Sequence, residues 1–251
     1  MTFGIESSNI VGYTTKEAAQ GKFIMLGAQF DQVTGGNYVN GLIAGVSGVD
    51  YDETEAFTKT APQVQIPTAL GYTTLFYLND GYYETETGAE AYKAGWCDSS
   101  GNISDAELTP GVAIWFKSVG EDAVVNVAGA VPESDTADVA CPTAFALRAN
   151  VYPMSVKVNS DQMTSKDIQG VDYDESEAFT KTAPQIQIPT ALGYTTLFYL
   201  NDGYYETETG AEAYKAGWCD SSGNIVDVAI PAAQGFWTKG VTAGFTLTFT
   251  K

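Results

Sequence analysis

Histidine is absent from the 251 residues, and Arg148 is the only arginine among twelve basic side chains. Without imidazole there are no Ser-His or Cys-His nucleophile pairs, few routes to zinc, and no ordinary general base near neutral pH. A lone guanidinium builds no bidentate phosphate clamp. No Gly-rich phosphate loop or dinucleotide fingerprint occurs. No apolar run is long enough to span a membrane, and no secretory signal peptide is legible. Cysteine is scarce: Cys97, Cys141 and Cys219. They are expected as three free, partly buried thiols, the alternative being a Cys141–Cys219 disulfide. Any enzyme here would have to work with carboxylates, tyrosines or lysines, and the chain is expected to be non-catalytic.

Acid, by contrast, is abundant. Thirty-one Asp and Glu against twelve basic residues leave a net charge of −19 and a pI near 4.1. A field of that sign repels nucleic acid and anionic membranes, so neither is an expected partner. Enrichment in aromatic, Thr, Gly and acidic residues fits an extracellular or cell-surface protein.

One 55-residue block occurs twice. Val49–Ile103 and Val171–Ile225 differ only at Thr54/Ser176 and Val64/Ile186, at an offset of 122 residues. That period is too long for a solenoid and implies two copies of a domain. Each block carries nine acidic residues and two lysines, so the pair supplies −14 of the net charge. Outside the block the copies diverge. Leu108–Lys117 lies over Ile230–Lys239, keeping Trp115 and Trp237 in step, and Ala123–Val127 lies over Phe245–Phe249. Phe23–Thr34 pairs loosely with Tyr152–Thr164, and Asn9–Thr15 with Cys141–Leu147. The expected domains are 1–132 and 137–251, joined by a linker at 133–136 within the polar stretch Pro132–Asp138. The near-identity of the blocks is explained either by gene conversion or by retention of two equal binding faces.

Periodicity and turn signals point to an all-β chain of two tandem duplicated β-sandwich or small β-barrel domains. Gly71–Leu78 is rich in β-favouring residues, and Asn79-Asp80-Gly81 is expected to turn a hairpin back through Tyr82–Thr87. Ile10–Thr15, Lys22–Phe30, Gly95–Asp98, Val112–Ser118 and Ala123–Ala128 are further strand candidates. Helix is expected only around Thr54–Thr60 or Gly88–Ala94. Each tryptophan is expected in a core.

The motifs Asn9-Ile10-Val11-Gly12-Tyr13, Gly95-Trp96, and Leu108-Thr109-Pro110-Gly111 ahead of Trp115-Phe116 form a loose pattern. It is similar to uncharacterised exported β-domain repeats of bacterial surface proteins. In the second copy the opening motif is missing and Pro-Gly has become Pro231-Ala232. The resemblance implies export and a β-fold, and carries no activity with it.

Three constellations could carry chemistry. Asp50, Asp52, Glu53 and Glu55, repeated as Asp172, Asp174, Glu175 and Glu177, form either a solvated acidic loop or a calcium site. Calcium takes 6–8 oxygen ligands, and Asp-x-Asp loops supply them. In the solvated form Glu53 and Glu55 would sit in the first turn of a helix. Asp98-Ser99-Ser100-Gly101-Asn102 with Asp105, and Asp220, Ser222, Asn224 and Asp227, start like a calcium loop but fit an ordinary turn better. Tyr77, Tyr82, Tyr83 and Glu84, repeated as Tyr199, Tyr204, Tyr205 and Glu206, place aromatic rings beside carboxylates, which suits sugar stacking. One tyrosine of each adjacent pair is expected to face solvent. The function these features suggest is a structural or adhesive surface protein whose partner is a glycan or a neighbouring surface protein. The alternatives are a tandem carbohydrate-binding module and a carboxylate-dependent glycoside-active enzyme, which would need two carboxyl groups about 5–9 Å apart across a cleft.

Overall fold

The computed structural model describes residues 11–33, 36–68, 70–104 and 106–251. The chain is mostly β, built from antiparallel sheets, and none of them closes on itself among the described residues. No helix there is long and apolar enough to cross a membrane. Two compact units divide it. Unit one is Met1–Pro110 with Ile114–Glu133, and unit two is Gly111–Ala113 with Ser134–Lys251.

Unit one contains β1 (Val11–Ala18), β2 (Phe23–Gly27), β3 (Ile43–Ala44), β4 (Gln63–Thr68), β5 (Gly71–Glu84), β6 (Glu90–Cys97), β7 (Ala113–Lys117) and β8 (Ala123–Ala130). A five-stranded sheet runs in the order β2-β7-β4-β5-β6, and a three-stranded sheet in the order β1-β8-β3. Unit two contains β9 (Thr136–Cys141), β10 (Ala146–Ala149), β11 (Val156–Lys157), β12 (Met163–Lys166), β13 (Gln185–Thr190), β14 (Gly193–Glu206), β15 (Glu212–Cys219), β16 (Ala229–Ile230), β17 (Gly235–Lys239) and β18 (Phe245–Thr250). Its sheets run β10-β17-β13-β14-β15, β12-β18-β9 and β11-β16. The register is the same in both five-stranded sheets: Tyr77 faces Trp96 as Tyr199 faces Trp218, and Gln65 faces Trp115 as Gln187 faces Trp237.

This topology corrects the loose upstream alignment. Phe23–Gly27 occupies the sheet position of Ala146–Ala149, not of the segment after Tyr152. Val11–Ala18 matches Thr136–Cys141, since β1 and β9 pair with β8 and β18. Thr136, the last residue of the expected linker, is therefore strand. Asn9 and Ile10 lie outside the described residues.

The expected Asn79-Asp80-Gly81 hairpin does not form. β5 runs straight through it with a bulge between Leu78 and Gly81. The turns lie instead before Gly71 and at Thr85–Ala89, where Gly88 adopts φ 75° and Gly88 N–H donates to Thr85 O. The polar side chains of the tripeptide are used elsewhere. Asn79 Nδ2 donates to Asp50 Oδ1 (2.9 Å), and Tyr51 N–H donates to Asp80 Oδ1 (2.8 Å). Gly81 is required by a close approach, not by a turn. A Cβ there would meet the Cys97 sulfur and lie 2.7 Å from Ile103 Cδ1. Gly88–Ala94, one of the two helix candidates, falls mostly in β6. The other yields only short pieces, a 3₁₀ turn at Ala56–Lys59 and α2 (Phe179–Thr182). A further short helix, α1 (Val39–Leu42), was not anticipated.

One face of each five-stranded sheet is buried at its centre, and the other is covered only in part. On one, Trp96 is fully buried, its ring meets Phe116 (6.2 Å, 87°), and its indole N–H donates to Ile43 O of β3 (3.2 Å). Trp218 is buried likewise and donates to Ser165 Oγ of β12. On the other face, Phe57, Ala61, Phe76, Leu78 and Cys97 form a second cluster, matched by Phe179, Ala183, Phe198, Leu200 and Cys219. Trp115 and Trp237 differ from the core expectation, being half-buried on the outer part of this second face.

Candidate functional site

The acidic loops are organised by their aspartates. Asp52 accepts backbone N–H groups from Thr54 (2.9 Å), Ala56 (3.3 Å) and Phe57 (3.1 Å), and also the Thr54 hydroxyl. Asp174 repeats this with Ser176, Ala178 and Phe179. The Thr54/Ser176 difference thus keeps the one group that matters, a hydroxyl donor. These donors hold the carboxyls below the usual Asp value, the Thr54 or Ser176 side chain contributing most. Asp50 and Asp172 accept from the amides of Asn79 and Asn201 (2.9 Å each). Glu53, Glu55, Glu175 and Glu177 point to solvent. Glu55 and Glu177 adopt left-handed backbone (φ 57°) ahead of the helical turn, not inside it. Among the described residues no three acidic, His or Cys side chains gather as a metal centre.

A pH dependence follows. A carboxyl whose folded pKa is depressed contributes stability above its unfolded pKa, here near 3.8, and loses it as pH falls through the folded value. The melting temperature should therefore hold above about pH 5 and fall below pH 4. Asp52→Asn with Asp174→Asn should flatten that acid limb; an unchanged limb in the double variant would show that these caps play no part.

Asp98 forms a turn. It accepts from Ser100 N (2.8 Å), Asn102 N (3.0 Å) and the Asn102 amide, with Gly101 at φ 82°. Asp220 does the same with Ser222 and Asn224. Asp105 lies outside the described residues. Asp227 is instead paired with Lys157 (2.6 Å) on the surface.

The tyrosines separate into two environments. Tyr77 and Tyr199 lie against Trp96 and Trp218 (5.2 and 5.3 Å) and support the core. Tyr82 and Tyr83 sit at the far end of β5, where the true hairpin sets Tyr82 opposite Tyr92 and Tyr83 opposite Ala91. Both are half-buried, so neither is the fully solvent-facing ring that strand alternation suggests. The exposed ring is Tyr92, at 64 % accessibility, edge-on to Tyr82 (5.9 Å, 66°). Tyr214 repeats it against Tyr204 (5.9 Å, 65°). Lys93 Nζ lies 4.5 Å over the Tyr83 ring, and Lys215 Nζ 4.8 Å over Tyr205. Burial, then Glu84 and Glu90, push the Tyr82 hydroxyl pKa up, so it stays a neutral donor at neutral pH. Burial, Glu206 and Glu212 act likewise on Tyr204.

Tyr82, Tyr83, Glu84, Lys93, Asn102 and Ile103 line a shallow depression of about 450 Å³. Lys93 did not stand out in the sequence, and Asn102 stood out only as part of the Asp98 turn, because both reach the tyrosines only through the tertiary fold. Glu84 and Glu90 face each other across an open strand pair. A second cleft in unit one, about 360 Å³, runs among Gly45, Thr60, Ser118, Glu121 and Asp122. There Asp122 already accepts from Gln20 N (2.7 Å).

The three thiols are free and buried. Burial is the main cause raising Cys97 and Cys219 to about 12 and Cys141 to about 11. They remain protonated at neutral pH and are poor nucleophiles. Compared with protein-family models, with curated proteins and with solved structures, the chain matches none, so its chemistry is argued from these side chains alone.

Proposed function

We propose that the chain is an exported, non-catalytic surface protein of structural or adhesive role, built from two tandem copies of one β-sandwich module. The observation that carries this is the repetition of one exposed aromatic hairpin. Two contacts on the outer hairpin, Tyr82 with Tyr92 on one face and Tyr83 with Lys93 on the other, recur as Tyr204 with Tyr214 and Tyr205 with Lys215 with near-equal geometry. Its chemistry is that of recognition. The nearby carboxylates lack a cleft, and the thiols are protonated. Calcium at the Asp50–Glu55 and Asp172–Glu177 loops is the one cofactor the proposal admits. Bound there, it would raise the melting temperature between chelator and millimolar calcium by mass action.

A tandem carbohydrate-binding role is the second reading, favoured by the depression beside Tyr82 and Tyr83. A glycan array with the intact chain distinguishes the two. A purely structural module gives no selective signal. A binding pair gives a signal that Tyr83→Ala alone reduces, and Tyr83→Ala with Tyr205→Ala abolishes. Two linked sites can gain roughly 10²–10⁴ in apparent affinity, so the single change should remove most of the avidity. Turnover of any glycan would sink the non-catalytic reading.

A further inference from the structure

Outside the repeated block the two copies have drifted in an unusual pattern. Between 23–30 and 145–152 only Phe23/Phe145 is identical, and between 104–129 and 226–251 only four pairs are, among them Trp115/Trp237 and Lys117/Lys239. Buried positions have changed freely: Met25/Leu147, Ile114/Phe236, Phe116/Thr238, Val125/Leu247 and Val127/Phe249 all differ. Packing ordinarily restrains the interior and leaves the surface free. Here the interior varied, and three of the five unchanged pairs, at Phe23, Trp115 and Lys117, are partly exposed side chains.

Those three form one cluster in each unit. Phe23 and Trp115 meet edge-on (6.1 Å, 78°), as do Phe145 and Trp237 (6.0 Å, 78°). Lys117 Nζ lies 5.3 Å over the Phe23 ring, and Lys239 Nζ 5.1 Å over Phe145. Phe23 and Phe145 remain 45 % and 47 % exposed. The register extends the cluster across the sheet, with Gln65 opposite both Trp115 and Thr74, and Gln187 opposite Trp237 and Thr196. Residues directly opposite share a face, so each unit presents an aromatic edge leading onto amide and hydroxyl groups, about 10 Å across three strands.

We propose that this face in each unit is a platform for a neutral polysaccharide chain, with Trp115 and Phe23, and Trp237 and Phe145, as stacking residues. The proposal rests on the adhesive form of the function above and moves its contact surface away from the tyrosines. Charge selects the occupant. A chain of net charge −19 repels acidic glycans, nucleic acid and anionic lipid. Flat aromatic rings beside amide and hydroxyl groups, with Lys117 or Lys239 as a further donor, match a sugar's apolar face and hydroxyls. An open sheet face with no deep pocket suits an extended polymer, and two platforms on one chain allow weak sites to add.

The test is electrophoresis of the intact chain through native gels cast with soluble β-glucan, xylan, mannan or α-glucan. At least one should retard the parent. Trp115→Ala with Trp237→Ala should weaken retardation at least tenfold, and either change alone should give an intermediate value. Phe23→Ser with Phe145→Ser, at exposed positions, repeats the test with less risk to folding, and circular dichroism checks both. The platform is overturned if no polysaccharide retards the parent, a result that leaves the structural role standing. It is overturned too if the folded double variants are retarded like the parent. If the tyrosine double variant alone then loses retardation, the adhesive reading survives without this site. Concentration-dependent self-association abolished by the Trp changes would make the face a dimer contact and also overturn the proposal.

Discussion

Phe116→Thr should destabilise unit one by about 3–5 kcal/mol, and adding Ala123→Phe should restore most of the loss. The expectation comes from the two cores. In unit one Trp96 packs on Phe116, and Ala123 lies at the wall of a cleft. In unit two the position of Phe116 is Thr238 and that of Ala123 is Phe245, whose ring packs on Trp218 (5.8 Å, 53°). One phenyl ring has moved between strands of two different sheets while staying beside the buried tryptophan, the kind of exchange that cores tolerate. Phe116→Thr alone deletes the ring and leaves a cavity. The unit-one transition in calorimetry should fall by roughly 10 °C or more. A double variant no more stable than the single would show that the two cores are not interchangeable at this point.

The second large effect concerns an asparagine in each unit. Asn40 Nδ2 donates to Trp96 O (3.1 Å) and Ser104 O (2.8 Å), while Oδ1 accepts from Trp96 N (2.6 Å). Asn159 makes the same set with Trp218 O, Val226 O and Trp218 N (2.8, 2.7 and 2.8 Å). The amide bonds three main-chain groups beside the buried tryptophan; Ala would remove those bonds, with Trp96 O keeping Ser104 N–H (2.9 Å) and Trp218 O keeping Val226 N–H (3.2 Å). Asn40→Ala should cost about 2–3 kcal/mol, after some replacement by water. Asn159→Ala should cost about 1 kcal/mol more, because Asn159 sits at φ 61°, a conformation alanine resists. Urea denaturation reads both. A loss smaller at Asn159 than at Asn40, or negligible at either, would refute the latch.

These two asparagines also mark where sequence reading stops. They are separated by 119 residues, not 122, and lie where the copies share almost nothing. Asn40 is in a short helix and Asn159 in a left-handed turn. Local pattern could not pair them, since only the shared tryptophan strand does. The misplaced hairpin has the same cause. Asn-Asp-Gly has strong turn propensity, but pairing with Val49, packing of Gly81 against Cys97 and Ile103, and an available turn at Thr85–Ala89 outweigh it.

The sequence by itself determined the β class, the repeated block with its equal local geometry, the strands ending each unit, and the acidity that disfavours nucleic acid. These depend on composition, side-chain periodicity and identity, all carried by the chain order. Tertiary structure decided which carboxylates cap turns, which tyrosines meet Lys93 and Lys215, and that Phe23, Trp115 and Lys117 form one surface. The caps and the tyrosine–lysine contacts are local, but Phe23 lies on a strand far from Trp115 and Lys117 in the chain. Phe23 meets Trp115 and Lys117 only because β7 inserts between β2 and β4, a long-range pairing set by tertiary packing and not by local propensity.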